Sequence, residues 1–547
     1  MTVWAEHAMP HLVAVPVLLP LLTAAAMLLL GGKRRSQAVL GGVSCIGGLL
    51  VGMALLRWVD ASGATGAVAV YLPGNWSVPF GIVLAADRLS ALMLVVTAIL
   101  AVAAVTFAAA RWDRAGVHFH TLFQIQLMGL NGAFLTADLF NLFVFFEVTL
   151  AASYGLLLHG SGPRRARAGL HYIAMNLLAS SFFLVGVAML YGVTGTLNMA
   201  DMARKLPSIP AEDVGLLHAG ASILGIAFLI KAAAWPLNFW LTRAYAAAGA
   251  PVAALFAVLT KVGVYSLLRI WTLMLRPQDK LDTPFAGEVL TLVGLATLAL
   301  SAVGILTAQQ PRRLAAFCIV ISAGTLLAAT GFSSAALLGG ALYYLVASTL
   351  AAGALFLVAE LIERSREAHD RLETLRDDEA DFAPTYVVAD VPRSPEQVED
   401  EAPVGRVIAG PMAFLGLCFA GCALLVAGLP PMPGFLAKFA MLDPLMQLSG
   451  AVPATAWTML VLLIVSGLLS TLAFSRAGVR FFWAPSGRPL PRLRIIETAP
   501  IAGLLLLMVA LTVFAEPVLR FSRSAASSLL DPAPYIQAIM SAVPKSR

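Results

Sequence analysis

Long apolar stretches separated by short polar ones make up almost the whole of this 547-residue chain. We distinguish about fourteen stretches close to the roughly 20 residues that a helix needs to cross the hydrocarbon core of a bilayer. Because backbone polar groups in lipid must be satisfied within their own segment, these stretches predict membrane-spanning helices. They lie near residues 10–30, 38–59, 87–110, 118–136, 138–158, 168–193, 217–241, 251–275, 286–308, 314–332, 334–362, 408–446, 453–482 and 497–520.

The composition agrees with a protein whose main solvent is lipid. Hydrophobic residues make up 59% of the chain and charged residues only 12%, about half the charged fraction of an average soluble domain. No soluble catalytic domain fits in what the apolar stretches leave over, so we expect an all-α polytopic membrane protein. We expect no cofactor and no metal site, because the spans contain no cluster of carboxylates and the four cysteines lie in apolar stretches.

Acidic residues are concentrated in one stretch. Of the 30 acidic residues, 13 lie between Glu363 and Glu401, which leaves 17 elsewhere against 30 Lys and Arg outside 363–406. This acidic stretch lacks apolar periodicity and predicts a solvated, partly disordered cytoplasmic loop at 363–406.

The basic residues predict how the chain is oriented in the cell (inner) membrane. Loops after odd-numbered spans are rich in Lys and Arg, which favours the cytoplasm for these loops and places both termini outside it. Two loops after even-numbered spans are exceptions. The residues on the cytoplasmic side are then Lys33, Arg34, Arg35, Arg111, Arg114, Arg164, Arg165, Arg167, Arg243, Arg312, Arg313, Arg476, Arg480, Arg488, Arg492 and Arg494.

Four ionisable residues lie well inside predicted spans: Glu147, Lys231, Lys261 and Lys438. Each charge at bilayer depth costs roughly 3 kcal/mol, so these residues imply internal pairing or a path that contains water. The alternative is a pair of static ion bridges that fix helix register. Buried ion pairs stabilise poorly compared with apolar packing, and we therefore favour a functional role.

Two of these lysines stand beside helix breaks. Pro236 follows Lys231, whereas a run rich in proline and glycine precedes Lys438, so the order of lysine and break is mirrored. Discontinuous helices expose backbone polar groups and admit water at the bilayer midplane. The mirrored order predicts two inverted five-helix repeats. The residues that form the breaks are Pro236, Pro430, Pro431, Pro433 and Gly434.

This pattern predicts the organisation of the chain. Residues 1–117 hold the first three spans, 118–275 a first bundle of five helices, 286–482 a second bundle with the acidic loop 363–406, and 483–547 the last span and a tail.

A buried lysine beside a carboxylate can take up and release a proton. Burial disfavours the charged lysine and a nearby carboxylate favours it, so moving Glu147 toward or away from Lys231 would load or unload the proton. Lys261 could receive this proton through water, and Lys438 would be the terminal group of the second bundle. Asp87 and Asp138 start spans, where we expect them to act as negative charges at helix N-termini. Arg269 lies near a span end and is interpreted as snorkelling to the interface.

At these residues the chain resembles a known superfamily. Residues 141–148 (NLFVFFEV) with 153–160 (SYGLLLHG) resemble the fifth helix of antiporter-like proton-pumping membrane subunits. Lys231 with residues 235–241 looks like their broken seventh helix, 260–265 (TKVGVY) like their eighth, and 433–438 (PGFLAK) like their broken twelfth. The resemblance covers residues 80–520.

Within the superfamily, residues 74–91 and the Phe-Phe-Glu of the fifth span are most similar to the D subunits of multisubunit Mrp/Pha-type cation/proton antiporters. The resemblance implies a hetero-oligomeric complex in the lipid bilayer that exchanges protons for Na⁺ or K⁺. It also implies that Glu147, Lys231, Lys261 and Lys438 carry the protons.

The chain departs from the family pattern at some positions. Relatives often have a histidine in the middle of the eleventh helix, but residues 343–349 contain none. Proton passage there would then either rely on water with Ser348 and Thr349 or be weaker. Thr242 replaces a proline. The alternatives left open are a homologous subunit of an NADH-quinone oxidoreductase or membrane hydrogenase, a structural antiporter subunit without a proton path, and a stand-alone permease.

Overall fold

A computed structural model describes residues 11–61, 68–274, 284–381, 410–447, 452–482 and 493–544, without the side chains of 284–286 and 367–381. These residues are almost entirely helical. The first helices are α1 (Val15–Leu29), α2 (Arg34–Ala61) and α3 (Arg88–Ala108). Between α2 and α3 lies an antiparallel pair of short strands, β1 (Ala69–Tyr71) and β2 (Leu84–Ala86), with Val70 opposite Ala85.

The next helices form two consecutive groups. The first group is α4 (Phe119–Leu135), α5 (Leu139–Leu158), α6 (Pro163–Thr194), the short α7 (Met199–Lys205), α8 (Val214–Lys231), α9 (Phe239–Ala247) and α10 (Ala250–Met274). The second group is α11 (Pro284–Gly304), α12 (Pro311–Gly331), α13 (Ala335–Asp381), α14 (Gly410–Ala427), α15 (Pro433–Met446) and α16 (Ala454–Phe482). The chain ends with α17 (Ile495–Val513), α18 (Ala515–Leu530) and α19 (Ala533–Met540).

Each of the predicted spans contains helix among the described residues, and the spans 217–241 and 408–446 are each divided into two helices. Twelve helices of the described part are long and apolar enough to cross a membrane, and the spans near 10–30 and 118–136 correspond to the shorter helices α1 (15 residues) and α4 (17 residues). The prediction of a polytopic, all-helical membrane protein is therefore confirmed. Asp87 and Asp138 lie at the N-termini of α3 and α5 as expected. Each also caps its helix, since its carboxylate accepts a hydrogen bond from a backbone N–H in the first turn.

Two boundaries differ from the prediction. The predicted acidic loop 363–406 begins later, because α13 continues as helix to Asp381, and residues 382–409 lie outside the described residues. The last predicted span, 497–520, is divided at Phe514 into α17 and the amphipathic α18. Small and apolar residues of α18 pack against the bundle while Glu516 and Arg520 stay exposed, so the tail is a surface helix and not a polar extension.

The two groups of helices pack in the same way. In the first group α4 packs on α5, α6 on α8, and α10 on both α8 and α4; in the second, α11 packs on α12, α13 on α14 and α15, and α16 on both α14 and α11. Each group contributes five crossings, counting each broken helix once. An odd number of crossings reverses the direction of the second group relative to the first, which is the geometry of an inverted repeat.

Burial divides the helices into central and peripheral ones. Helices α10, α12 and α13 are almost wholly buried, and α10 contacts both of the others across the junction of the two groups. By contrast, α2 exposes an apolar stripe at Val39, Val43, Ile46 and Leu50, spaced to lie on one face. Such a stripe is the surface expected toward lipid, whereas the central helices surround Lys261.

Candidate functional site

The first helix break directly follows Lys231. Helix α8 ends at this lysine, Ala233 takes a positive φ of 53°, and Pro236 has no N–H to continue a helical ladder. Gly263 of α10 makes the close approach possible, because a Cβ there would lie 2.6 Å from the backbone nitrogen of Ala232. The break therefore depends on a glycine in another helix.

Lys231 is only 8% exposed, and its ammonium lies against α5 and α6. Its Nζ is 4.8 Å from the ring centroid of Phe146, within the range of a cation–π interaction. A cavity of about 20 Å³ adjoins it, lined also by Thr149, Tyr172 and Asn176. This volume and these polar groups suit a single water molecule.

Glu147 follows Phe146 on α5 and is half-buried. Its carboxylate accepts a hydrogen bond from Ser180 of α6, and the Asn176 carbonyl, 3.0 Å from the same hydroxyl, is the alternative acceptor. Among the residues that the structure describes, no ion pair within 4.0 Å joins Glu147 to Lys231. The Glu147 carboxylate is thus bound by Ser180 and not by Lys231, the residue with which the sequence analysis paired it.

Lys261 lies at the centre of the bundle and is 1% exposed. Its Nζ donates to the Ser322 hydroxyl of α12 at 2.7 Å, and that hydroxyl is 2.8 Å from the Ser348 hydroxyl of α13. Ser348 lies where the sequence predicted a hydroxyl in place of the missing histidine. Thr349, predicted with it, donates to the Leu345 carbonyl of its own helix at 2.5 Å and does not join the chain.

Sequence reasoning missed Ser322 and Ser180. A serine inside an apolar span has no local signal that separates a partner of a buried charge from a residue bonded to its own helix. Contact with Lys261 or Glu147 depends on packing between helices that are distant in sequence.

The second break separates α14 from α15. Gly428 takes a positive φ of 75°, and Pro433 occupies the first turn of α15, where its missing N–H is harmless. A Cβ on Gly434 would collide with the Leu425 carbonyl oxygen, so this position requires glycine. The prolines that the sequence singled out lie between the half-helices or at the start of the second: Pro430, Pro431 and Pro433.

Lys438 reaches back across this break. Its Nζ donates to the carbonyl of Ala427, the last residue of α14, at 2.9 Å. Gly467 of α16 packs against the same carbonyl, since a Cβ there would lie 2.7 Å from it. Gly263 of α10 and Gly467 of α16 are therefore equivalent, since each packs closely against the backbone at a helix break. The two helices differ at the position two residues before the glycine, where α10 has Lys261 and α16 has Val465.

Each of the four ionisable site residues has polar neighbours, but among the described residues none of the four is bonded directly to another. Among the described residues, no hydrogen bond links Lys231 to Lys261 or Lys261 to Lys438. The described residues also contain no group of three or more His, Cys, Asp and Glu that could hold a metal ion.

Further charged pairs fix the ends of the central helices. Arg269 of α10 binds Asp87 with two hydrogen bonds, at 2.7 and 2.8 Å, so the interpretation of Arg269 as a snorkelling residue is wrong. Burial raises the pKa of Asp87, but the Arg269 guanidinium outweighs this and holds the pKa below its ordinary value. Arg364 binds Glu497 in the same bidentate way, at 2.5 and 2.9 Å. These pairs join residues more than 130 positions apart, which only tertiary packing specifies.

The chain is similar to known proteins over most of its length. The family model "NADH:quinone oxidoreductase/Mrp antiporter, TM" matches residues 136–378. The chain is 47% identical to the D subunit of a probable K⁺/H⁺ antiporter of Rhizobium meliloti, over 99% of both chains. It is 31% identical to the D subunit of a Na⁺/H⁺ antiporter of Alkalihalophilus pseudofirmus, over 97% of this chain and all of that one.

A solved structure supports the same assignment. A chain in the structure of the Mrp complex from Dietzia sp. DQ12-45-1b superposes with a TM-score of 0.80 at 27% identity, over 97% of this chain and 99% of that one. Fold, buried lysines and full-length similarity agree, and the chain belongs to the family of D subunits of Mrp-type antiporters.

Proposed function

We propose that this chain is the proton-translocating subunit of a multisubunit antiporter that exchanges protons for Na⁺ or K⁺. It is a transporter subunit and not an enzyme. The observation that carries the proposal is the position of Lys261, which is 1% exposed and joined by Ser322 to Ser348. This connection runs from the first group of helices, 118–275, to the second, 286–482, and so links two half-channels.

In the first half-channel, Glu147 controls the charge on Lys231. In one state the Glu147 carboxylate accepts the hydrogen bond from Ser180. In the other it leaves Ser180 and approaches the ammonium of Lys231. The approach stabilises the protonated lysine and the retreat destabilises it. The cavity beside Lys231 has room for the water through which the proton leaves.

Lys261 passes the proton between the half-channels. When Lys261 is protonated, its Nζ donates to Ser322, whose own proton is free to point at Ser348. When Lys261 is neutral, the direction of both hydrogen bonds can reverse, because each hydroxyl both donates and accepts. A chain of this kind reorganises with each proton and does not require the histidine that the eleventh span lacks.

Lys438 is the terminal group of the second half-channel. Its ammonium is held by the Ala427 carbonyl, which is left without an intrahelical partner where α14 ends. The break at Pro430, Pro431, Pro433 and Gly434 thus supplies the acceptor for the charge, as the break at Pro236 frees the backbone near Lys231.

The complex and its orientation are part of the proposal. Glu147 is half-buried on a face of α5 where Phe140 and Val144 are exposed, which fits coverage by another subunit of the complex. In the cell membrane, the Arg-rich loops favour the cytoplasm for their own side of the protein, which supports an orientation with both termini outside the cytoplasm.

Substitution of Lys231 tests the proposal. We expect Lys231→Ala in the assembled complex to abolish cation-driven proton flux in membrane vesicles, because no other group of comparable charge lies at the first break among the described residues. Lys33→Ala, at an exposed loop, is the matched control and is expected to leave flux unchanged.

The results separate the alternatives. Unchanged flux in Lys231→Ala with normal assembly would show a structural subunit without its own proton path. Iron–sulfur subunits co-purifying with the chain would identify a respiratory complex, and cation/proton exchange by the chain alone in liposomes would identify a stand-alone permease.

A further inference from the structure

A basic cavity of about 470 Å³ lies where α6, α9 and α12 meet, at the ends of these helices. It is lined by Arg164 and Arg167 of α6, Arg243 of α9 and Arg313 of α12, with His171 beside them. No Asp or Glu of the described residues lines this cavity. A concave surface with four guanidinium groups and no carboxylate is a site for an anion.

The four arginines that line the cavity are free to bind an anion. Their side chains make no hydrogen bond or ion pair with any residue that the structure describes. Two neighbouring arginines show the contrast: Arg165 donates to the Ala247 carbonyl at 3.1 Å, and Arg312 pairs with Glu360 at 2.5 Å. Arginines near the same helix ends are therefore either used within the protein or left pointing into the cavity.

Helix ends add further donors. Pro163, at the start of α6, and Gln310, the N-cap of α12, both line the cavity. The first backbone N–H groups of a helix have no partner within it and favour an anion. Together with planar guanidinium groups, which bind phosphate oxygens in pairs, these donors match a phosphate group.

The surface next to the cavity is apolar. Arg164, Arg167 and His171 share one face of α6, and the same face continues through Leu178 and Val185, which are 43% and 50% exposed. Helix α6 has 32 residues and is about 48 Å long, well beyond the roughly 30 Å of a hydrocarbon core. Its basic start therefore lies at headgroup level and its exposed Leu and Val at acyl-chain level.

We propose that this cavity binds the headgroup of an anionic membrane phospholipid, whose acyl chains lie along the exposed face of α6. The site is separate from Lys231, Lys261 and Lys438 and bridges α6 of the first group of helices to α12 of the second. A bound phosphodiester would hold these helix ends together through charges that otherwise repel one another.

Lipid binding by the purified, delipidated complex tests this proposal. The probes are dioleoyl phosphatidylglycerol and dioleoyl phosphatidylcholine, which share acyl chains and differ in net charge, and inorganic phosphate. Native mass spectrometry is expected to show preferential binding of phosphatidylglycerol. The variant Arg164→Gln/Arg167→Gln/Arg243→Gln/Arg313→Gln should lose this preference by about tenfold or more.

The matched control neutralises three exposed basic residues that do not line the cavity, as Lys33→Gln/Arg34→Gln/Arg35→Gln, and should keep the preference. If the fourfold variant fails to assemble, Arg243→Gln/Arg313→Gln should still reduce it. Equal binding of the two lipids by the wild-type complex would overturn the proposal, as would an equal loss in the control. Binding of inorganic phosphate without preference for the anionic lipid would assign the cavity to a free anion instead.

Discussion

Replacing Ser322 by alanine isolates the connection between the two half-channels. The substitution removes one oxygen atom from a residue that is 1% exposed and leaves the three lysines and both helix breaks intact. Lys261 then loses the acceptor 2.7 Å from its Nζ, and Ser348 loses its hydroxyl neighbour at 2.8 Å. No other hydrogen-bond partner of Lys261 exists among the described residues.

The size of the effect follows from this geometry. A hydrogen bond to a charged group contributes about 1.5–3 kcal/mol, so the protonated form of Lys261 becomes less favourable by that amount. Because each 1.4 kcal/mol is a factor of ten, the ratio of protonated to neutral Lys261 falls by at least about tenfold. If this state carries protons between the half-channels, the proton flux falls to a similar extent.

The assay is cation-driven proton movement in everted membrane vesicles, followed by the fluorescence of a pH-sensitive dye after Na⁺ or K⁺ is added. Native gel electrophoresis of the solubilised membranes measures assembly of the complex. We expect Ser322→Ala to assemble normally and to reduce the initial rate by about tenfold or more.

Ser301→Ala is the matched control. Ser301 is also a buried serine, on the neighbouring α11, but its hydroxyl bonds only to carbonyls of its own helix, at 2.6 and 3.1 Å. We expect this variant to retain wild-type flux. A rate in Ser322→Ala within twofold of the control, with normal assembly, would refute the role of the Lys261–Ser322–Ser348 chain.

Other regions of the structure give further predictions. Asp87→Asn leaves the Arg269 guanidinium buried without its anion, and we expect it to destabilise the protein by about 3–5 kcal/mol, measured as a lower midpoint of thermal unfolding in detergent. Since Arg269 outweighs burial and lowers the pKa of Asp87, the wild-type pair should keep its contribution above the ordinary carboxyl pKa of 3.8 and lose it only as pH falls below that value; loss near neutral pH would contradict this. Gly263→Ala would place a Cβ 2.6 Å from the Ala232 nitrogen and should abolish flux, whereas Gly225→Ala, which meets no atom within 4 Å, should not.

Local properties of the chain were enough to locate the helices and the ionisable residues inside them. A span is recognisable because each apolar residue contributes to crossing the bilayer independently of its neighbours in space. Lys231, Lys261 and Lys438 stand out for the same reason, since each charge is anomalous in its own segment. The prolines that mark the breaks are also recognisable locally, because proline removes a backbone donor wherever it lies. The room for the first break, by contrast, comes from Gly263 of another helix.

Two helix boundaries escaped this reasoning. Residues beyond Glu363 carry so many charges that they suggested a loop, yet α13 continues to Asp381. Charged residues with good helix propensity can extend a helix beyond the membrane, where no hydropathy signal marks its end. Similarly, α18 is amphipathic and lies on the bundle, so its apolar content was counted as part of a span.

The partners of the buried charges depend on which helices become neighbours. Ser322 and Ser301 are both serines inside apolar spans, and they differ in the helix that faces each of them. Ser180 beside Glu147, Asp87 beside Arg269, and the arginines around the basic cavity likewise come from separate helices. The sequence shows which charges lipid cannot accept, because solvation is a property of each residue in its segment. Packing assigns the hydroxyl, carbonyl or carboxylate that accepts each charge, because hydrogen bonds require contact between residues that can be far apart in the chain.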